Sequence, residues 1–441
     1  MKRFLSISLA LLLAFSAMAQ SSARQEIDAH PHLAISTQSV YAGHYYFRPI
    51  AEAPKGYKPF YITHYGRHGS RHESNKKYPN NLVKMFEVAD SLNILTAKGK
   101  EMKAIAYKIQ KAHDGRIGEL TRVGVEQHKG IARRMYERFK PVFHKGAIID
   151  SRSSTFTRCI LSMAAFNESL KECEPMLETR MDAATEHQNI IRPHMVHIRD
   201  PRYSGAHIKS DEAWWLNVKG WSEKQDLSHC LNMLFTDVDL LSKHLDGISK
   251  IEIATDIYKR LAFMQNLGYY DRTFIDSVFT PDERYTIFLF ENYRWYCRYV
   301  STKVDGGEHR FAPMGQVVED IIKYADLAIE GKNSASANFR FGHDYYLLGL
   351  LSMIKLNEYS GDADISSVEK LGEEHPAFRV VTMGSNLQLV LYRSKKNPDI
   401  LVRILENEND VTLPIKSVEG PFYKWDDVRK YLNERIALFN K

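Results

Sequence analysis

Short apolar runs that are each followed by a polar turn and a helical pattern recur along this chain. Three such runs predict buried strands at Phe60–Thr63, Ala147–Asp150 and Asn338–Phe341. Apolar residues at helical spacing predict the intervening and following helices, at about 80–92, 98–112, 122–139 and 345–356. Strands that alternate with helices favour an α/β fold, a mostly parallel sheet with helices on both faces.

The middle and the end of the chain have different patterns. Between 175 and 330 the segments are aromatic and helical with little strand alternation, so this range is predicted to be an inserted, mostly helical cap domain. Its Trp and Tyr residues are expected to be mostly core, with one or two facing a pocket. The α/β core is then expected over 20–174 and 331–441. Strands are predicted at 378–383, 386–394 and 400–406, before a closing helix over 426–438, and 20–56 is expected to be an irregular lead-in.

The first 19 residues have the pattern of a signal peptide. Lys2 and Arg3 precede an apolar run of 12 residues, Phe4–Phe15, and Ala17-Met18-Ala19 supplies a small-x-small cleavage pattern. The run is too short for a bilayer span, which takes about 20 apolar residues. We therefore expect a mature protein that begins near Gln20, is periplasmic or secreted, and has no integral membrane segment.

Composition and charge narrow the function classes. Of 441 residues, 44% are apolar and 26% charged, as in globular proteins. The net charge of +6 is spread along the chain without a run of like charges, which argues against a nucleic-acid partner and a polybasic membrane patch and suits a small anionic ligand. Cys159, Cys173, Cys230 and Cys297 match no CxxC pattern, so zero, one or two disulfides remain open, as does the oligomeric state.

Polar residues follow each of the three predicted core strands. Arg67, His68 and Arg71 follow the first strand, Arg158 lies in the first turn after the second, and His343-Asp344 follows the third. In an α/β sheet such strand ends converge on one edge, where ligands bind. Arginine matches phosphate oxygens with a planar fork, and a helix N-terminus adds backbone N–H donors. The pattern therefore predicts a phosphate site.

These residues also resemble a known family. Arg67-His68-Gly69-Ser70-Arg71 resembles the RHGxRxP signature of the histidine acid phosphatases, and Gly342-His343-Asp344 resembles their downstream HD motif. Arg158 is similar to the Arg of the intervening helix. Leu120–His128 resembles the LTxxGxxQ stretch of the multiple inositol polyphosphate phosphatase and phytase members, and Asn386–Arg393 and Val402–Leu405 resemble their C-terminal strands. The resemblance covers about 57–170 and 335–415.

The resemblance implies a phosphohistidine mechanism without metal or cofactor. His68 would attack phosphorus, and Asp344 would protonate the leaving alkoxide and then activate water, which implies an acidic optimum. Four side chains would hold the phosphate oxygens: Arg67, Arg71, Arg158 and His343. The expected substrates are phosphomonoesters, in particular inositol polyphosphates such as phytate. Two departures stand out: Glu73 replaces the signature's Pro, and His343-Asp344 replaces the HAE usual in multiple inositol polyphosphate phosphatases.

Three other functions compete with this one. A general acid or sugar phosphatase has the same chemistry, and the basic residues after the motif (Lys76, Lys77 and Lys84) fit either a wide anion pocket or a solvated face. A phosphate-ligand binding protein without catalysis belongs to another class. A metal-dependent hydrolase would use the HxH of His30-Pro31-His32, although no strand is predicted before it and metal sites need three or four ligands.

Overall fold

The protein is described by a computed structural model that covers residues 22–41, 49–193, 213–304, 307 and 312–439. The predicted signal peptide, 1–19, lies outside the described residues. Within these ranges, no helix has both the length and the apolar character that crossing a bilayer demands.

One eight-stranded sheet organises the fold. The strands are β1 (Tyr57–Arg67), β2 (Ile148–Ser153), β3 (Glu178–Asp182), β4 (Ala335–Gly342), β5 (Asn386–Ser394), β6 (Leu401–Glu406), β7 (Asn409–Asp410) and β8 (Phe422–Lys424). Their order in the sheet is β3-β2-β4-β1-β5-β6-β7, with β8 also paired to β6. The pairs among β3, β2, β4 and β1 are parallel, whereas β5, β6, β7 and β8 join antiparallel.

The register of the parallel strands brings their carboxyl ends to one edge. Arg67 at the end of β1 lies opposite Gly342 at the end of β4, and Ser153 at the end of β2 lies opposite Phe341. The residues that follow these three strands therefore leave the sheet side by side, as the sequence pattern predicts.

Helices cover both faces of the sheet. They are α1 (Ala23–Ala29), α2 (Lys77–Ser91), α3 (Ala97–His113), α4 (Arg122–Arg138), α5 (Thr157–Cys173), α6 (Gln188–Ile191), α7 (Ala213–Ser222), α8 (Ser228–Leu234), α9 (Val238–His244), α10 (Lys250–Phe263), α11 (Arg272–Val278), α12 (Pro281–Tyr299), α13 (Met314–Ile329), α14 (Asp344–Met353), α15 (Val368–Glu374), α16 (Ala377–Val380) and α17 (Trp425–Phe439). Short 3₁₀ segments lie between them at Pro31–Gln38, Lys140–Phe143, Thr185–His187, Met264–Leu267 and Leu356–Glu358.

Two apolar cores follow from the alternation of side chains along the strands. Ile62 and Val390 point into a core with α4 and α5, whereas their neighbours Tyr61 and Leu391 belong to a core shared with α13, α14 and the helices farther from the sheet. The outer helices α2, α3, α10 and α12 pack on one another and on the 3₁₀ segment Pro31–Gln38. The predicted fold class, an α/β sheet with a helical part, is confirmed.

Three local features differ from the sequence pattern. The strand predicted at 378–383 is wrong: 377–380 is the short helix α16, and its apolar side chains pack on helices rather than in a ladder. Glu178–Asp182 forms edge strand β3, which the sequence missed because Met181 is exposed and no apolar alternation marks it. The lead-in over 20–56, expected to be irregular, contains α1 and 3₁₀ turns. The division into two core segments and a cap stays a prediction.

The four cysteines are free thiols. Cys159, Cys230 and Cys297 are buried, and Cys173 is partly exposed. The sequence leaves zero, one or two disulfides open, and the structure has zero.

Candidate active site

Six side chains that the sequence singles out come together where β1, β2 and β4 end and α5 and α14 begin. The rings of His68 and His343 lie 5.5 Å apart between centroids. An Arg67 Nη donates to Asp344 Oδ2 over 2.7 Å, and an Arg158 Nη lies 3.4 Å from His343 Nδ1. Arg71 shares the same cavity wall. Segments almost three hundred residues apart in sequence thus form one cluster.

His68 is held in a single orientation by its neighbours. Its backbone N–H donates to the Gly342 carbonyl over 3.0 Å, and its carbonyl accepts from the Gly384 N–H over 3.0 Å. Its ring Nδ1 lies 2.9 Å from the Gly69 carbonyl oxygen. Because a carbonyl only accepts, we assign the ring proton to Nδ1, which leaves the lone pair on Nε2.

The environment of His68 keeps the imidazole neutral. Burial lowers its pKa well below 6.5, and the neighbouring Arg158 and Arg67 charges lower the pKa further. In a neutral histidine of this tautomer, the lone pair is on Nε2. The His68 ring is therefore suited to act as a nucleophile.

Three guanidinium groups surround this ring with unused donors. Within the described residues, the Nε atoms of Arg67, Arg71 and Arg158 are buried and have no hydrogen-bond partner. Burial, together with the charges of Arg158 and Arg67, lowers the pKa of Arg71 to about 10, although a nearby carboxylate opposes the shift. Buried unpaired donors and the repulsion between like charges both cost free energy. An oxyanion bound among them would relieve both.

The His343-Asp344 pair lies at the N-terminus of α14. His343 Nε2 is 3.0 Å from Ser154 Oγ, and burial followed by the Arg158 charge lowers the pKa of His343 to about 3. Asp344 Oδ1 accepts from the Tyr345 backbone N–H over 3.0 Å. Burial raises the pKa of Asp344, but the Arg67 and Arg71 charges outweigh it, so the net pKa lies below 3.8.

The helix that carries the LTxxGxxQ-like stretch supports the loop after His68. Gln127 Oε1 accepts from the Ser70 N–H over 2.8 Å, and the Thr121 N–H donates to the Ser70 carbonyl over 2.9 Å. A Cβ on Gly124 would lie 2.2 Å from the Ser70 carbonyl oxygen, and one on Gly69 would lie 2.5 Å from the Gly124 oxygen. Two glycines therefore let the backbones of the loop and α4 touch.

Gly124→Ala is accordingly expected to lower both stability and activity. The new methyl group must push the Ser70 backbone away, at a cost of about 1–3 kcal/mol. The displacement also moves the loop that carries His68 and Arg71, so kcat/KM for p-nitrophenyl phosphate should fall on the order of tenfold or more. Thermal unfolding and steady-state kinetics measure the two effects.

The control is Gly130→Ala on the same helix. There the Cβ would meet only the flexible end of Arg134, at 3.0 Å. Helix propensity then favours Ala by up to about 1 kcal/mol, so unchanged or raised stability and unchanged kinetics are expected. If both variants behave alike, the close approach at Gly124 does not support the loop.

A cavity of about 680 Å³ opens in front of this cluster. The outer helices α2, α10 and α12 form its far wall, which carries five cationic side chains: Lys84, Lys259, Arg260, Arg294 and Arg298. Trp295 and Tyr299 also line it, so two of the aromatic residues from the predicted insertion do face the pocket. Lys76 and Lys77 are exposed at the start of α2 and do not line the cavity.

Within the described part of the chain, the candidate HxH is not joined by further metal-ligating side chains. Among the residues that the structure describes, the one group of three metal-ligating side chains is Asp182, Glu186 and His187, and none of these lines the cavity. His30 and His32 contact each other, with ring centroids 6.0 Å apart, but they belong to no such group.

Sequence reasoning missed several supporting contacts of the site. Arg67 donates through its other Nη to the Thr37 carbonyl, from the lead-in segment where no motif marks a function. Ser154, whose hydroxyl contacts His343, was not singled out among several neighbouring hydroxyl residues. The partner of Glu73, Arg260 on α10, was also missed, since a charge pair between distant segments leaves no signal in one sequence.

The fold and the site define an α/β protein with a helical domain and a cluster of arginine, histidine and aspartate side chains at the edge of its sheet. No family model and no curated protein sequence matches the chain. The structure is similar to the Bifidobacterium longum multiple inositol polyphosphate phosphatase in complex with inositol hexasulfate: the TM-score is 0.69 at 19% identity, over 90% of this chain and 97% of that chain.

Two further solved structures have comparable scores. The complex of the same Bifidobacterium protein with phosphate has a TM-score of 0.66 at 19% identity, over 90% of this chain and 97% of that chain. The phytase from D. castellii has a TM-score of 0.66 at 12% identity, over 92% of this chain and 85% of that chain. The resemblance to histidine acid phosphatases drawn from the sequence is thus confirmed as a likeness of fold.

Proposed function

We propose that this protein is a phosphomonoesterase that works through a phosphohistidine intermediate. The observation that carries the proposal is the neutral His68 ring, whose Nδ1 faces the Gly69 carbonyl, next to three arginines whose buried Nε donors have no hydrogen-bond partner among the described residues. That arrangement combines a nucleophile with a site for an oxyanion, as transfer of a phosphoryl group requires.

The proposed reaction has two displacements. His68 Nε2 forms a bond to phosphorus while the bond from phosphorus to the ester oxygen breaks, and Asp344 gives its proton to that oxygen. Arg67, Arg71, Arg158 and His343 stabilise the charge on the phosphoryl oxygens. Water then attacks the phosphohistidine, the nitrogen–phosphorus bond breaks, and the Asp344 carboxylate takes the proton of the water.

Inositol polyphosphates such as phytate are the proposed substrates. The cavity of about 680 Å³ lies within the range of about 300–1,000 Å³ usual for small-molecule sites. Cationic side chains on its far wall suit further phosphate groups on the same ring. The fold likeness to a multiple inositol polyphosphate phosphatase and to a phytase favours the same class.

A specific observation favours a second candidate, a sugar phosphatase or general acid phosphatase. The same wall carries carboxylates at Asp246, Glu252, Asp256 and Glu291. Glu291 pairs with Lys259 and also with Arg294, at 3.1 Å from its Nη. Part of the positive charge is therefore compensated, which suits hydroxyl groups on a less phosphorylated substrate.

A substrate panel run across pH, with and without EDTA, tests the proposal. We expect turnover of p-nitrophenyl phosphate and faster turnover of phytate than of sugar phosphates, all insensitive to EDTA. Lys84→Ala should raise KM for phytate about two- to fivefold, because an exposed charge pair contributes little binding free energy. The KM for p-nitrophenyl phosphate should stay unchanged. Lys77→Ala, in the first turn of the same helix but outside the cavity, is the matched control.

Each competing function has its own result in that panel. Preference for sugar phosphates would favour the second candidate. No turnover of any phosphomonoester would leave a phosphate-binding protein, and loss of activity in EDTA would favour a metal-dependent hydrolase.

The proposed location is the periplasm or the extracellular space, on the strength of the signal-peptide pattern in 1–19. Cell fractionation of a tagged full-length chain tests it, and mass spectrometry of the exported form should give an N-terminus near Gln20.

A further inference from the structure

The loop after His68 carries a buried carboxylate, Glu73, where the histidine acid phosphatase signature has Pro. Glu73 is 1% exposed. Its Oε1 pairs with an Nη of Arg260, which is 3% exposed and lies on α10. Arg260 Nε also lies 3.6 Å from Asp256 Oδ1, so the guanidinium contacts two carboxylates. Removing one partner of a buried ion pair is destabilising. The pair therefore ties the loop to the helical wall of the cavity.

The end of α10 reaches this loop at more than one point. Arg260 and Phe263 are three residues apart and so share a helix face. The Phe263 ring centroid lies 5.7 Å from the Arg71 Cζ, within the range of a cation–π contact. Just beyond α10, Asn266 Oδ1 accepts from the Ser70 hydroxyl over 2.8 Å. Helix α10 and the turn after it thus contact the loop along residues 70–73.

The orientation of Arg71 depends on the same stretch of backbone. An Arg71 Nη donates to the His72 carbonyl over 2.9 Å, and the Glu73 carbonyl accepts from the Gly118 N–H over 2.7 Å. A shift of Glu73 therefore moves the carbonyl that holds the guanidinium. The Glu73 charge also counters the effect of burial on the pKa of Arg71.

We propose that Glu73 and Arg260 are positioning residues that hold Arg71 for phosphate, so that helix α10 helps to set the phosphate affinity of the site. The proposal rests on the proposed function only in taking Arg71 as a phosphate ligand. Neither residue needs to touch the reacting atoms, because both act through the geometry of the loop. A loop without this carboxylate would have to fix Arg71 in another way.

The test is a double-mutant cycle between Glu73→Gln and Arg71→Ala. In the wild-type background, Glu73→Gln should weaken binding of inorganic phosphate and lower kcat/KM for p-nitrophenyl phosphate on the order of ten- to hundredfold, since small misplacements of a binding group are costly. In the Arg71→Ala background the same change should have almost no further effect on phosphate affinity. Arg260→Met should reproduce the loss, and Arg260→Lys should recover part of it.

Glu26→Gln is the matched control. Glu26 is also a buried carboxylate paired with an arginine, at 2.5 Å from Arg379, but it does not line the cavity. The Glu26→Gln substitution should lower the melting temperature without changing the affinity for inorganic phosphate.

An equal loss of phosphate affinity from Glu73→Gln in both Arg71 backgrounds would overturn the proposal. So would a change confined to the melting temperature, as in the control. Should Glu73→Gln fail to fold, Arg260→Lys and Arg260→Met are compared in the same cycle, with the same two outcomes. Calorimetry of inorganic phosphate binding tests the positioning role even if the wild type hydrolyses no phosphomonoester. Absence of hydrolysis would overturn the proposed function but not the positioning role.

Discussion

His68→Ala is expected to abolish turnover while phosphate still binds. The substitution removes the Nε2 lone pair, and with it the bond to phosphorus on which the proposed mechanism depends. Loss of a nucleophile in covalent catalysis lowers kcat by at least about 10⁴-fold. The guanidinium groups of Arg67, Arg71 and Arg158 remain, so the affinity for inorganic phosphate should change by less than about tenfold. Steady-state kinetics and calorimetry give the two numbers.

The intermediate offers a more direct test of the same residue. A rapid alkaline quench of wild-type enzyme with labelled substrate should trap phosphate on His68, because phosphohistidine is stable in alkali and labile in acid. His72→Asn is the matched control: this neighbouring ring contacts His113, at 5.3 Å between centroids, and does not line the cavity. It should keep kcat within about tenfold. Label on any other residue, or substantial turnover by His68→Ala, would contradict the assignment.

The fold could be read from the sequence where local pattern and tertiary burial agree. Within Phe60–Thr63, the residues from Tyr61 onward are buried in the centre of the sheet, so the β-favouring side chains and their environment indicate the same structure. The 378–383 segment has an equally apolar pattern, but its side chains pack on helices, and α16 forms instead. Edge strand β3 is exposed on much of its surface, and backbone pairing with β2 rather than side-chain burial defines it.

The site could be predicted in part for a related reason. His68, Arg71, Arg158, His343 and Asp344 each follow a strand whose end is fixed by sheet topology, so a motif and a strand were enough to place them on one edge. The Thr37 carbonyl and the Arg260 side chain reach the same place from segments without such a constraint. Their positions follow from the packing of whole helices, which no local pattern encodes.

Asp344→Asn is expected to impair the release of poor leaving groups far more than that of good ones. The amide has nearly the same shape as the carboxyl group, and its one oxygen can still accept the hydrogen bond from Arg67, whereas the bond that Oδ1 accepts from the Tyr345 N–H is lost. It has no proton to give to an alkoxide. For an alkyl phosphate such as glycerol phosphate, kcat/KM should fall by about 10²–10⁴-fold, the usual contribution of a general acid. For p-nitrophenyl phosphate the loss should stay below about tenfold, because p-nitrophenolate leaves without protonation.

The comparison uses kcat/KM for a reason. Asp344 is also the proposed base for hydrolysis of the phosphohistidine, a step common to all substrates, and its loss would lower kcat for each of them. The ratio kcat/KM includes only steps up to the first irreversible one, here the departure of the leaving group, so the second role does not enter. Equal losses in kcat/KM on the two substrates would rule out proton donation by Asp344.

The pH dependence gives an independent check on the same carboxyl group. In the free site Arg67 and Arg71 outweigh burial and hold the pKa of Asp344 below 3.8, so its acidic form is depleted as pH rises through the acid range. For the alkyl phosphate, kcat/KM should therefore fall as pH rises, and a bound phosphate dianion, which offsets the arginine charge, should move the corresponding fall in kcat to higher pH. Asp344→Asn should lose this fall. Because both enzymes meet the same ionisation of the substrate phosphate, the difference between their profiles belongs to Asp344, and identical profiles would exclude it as the donor.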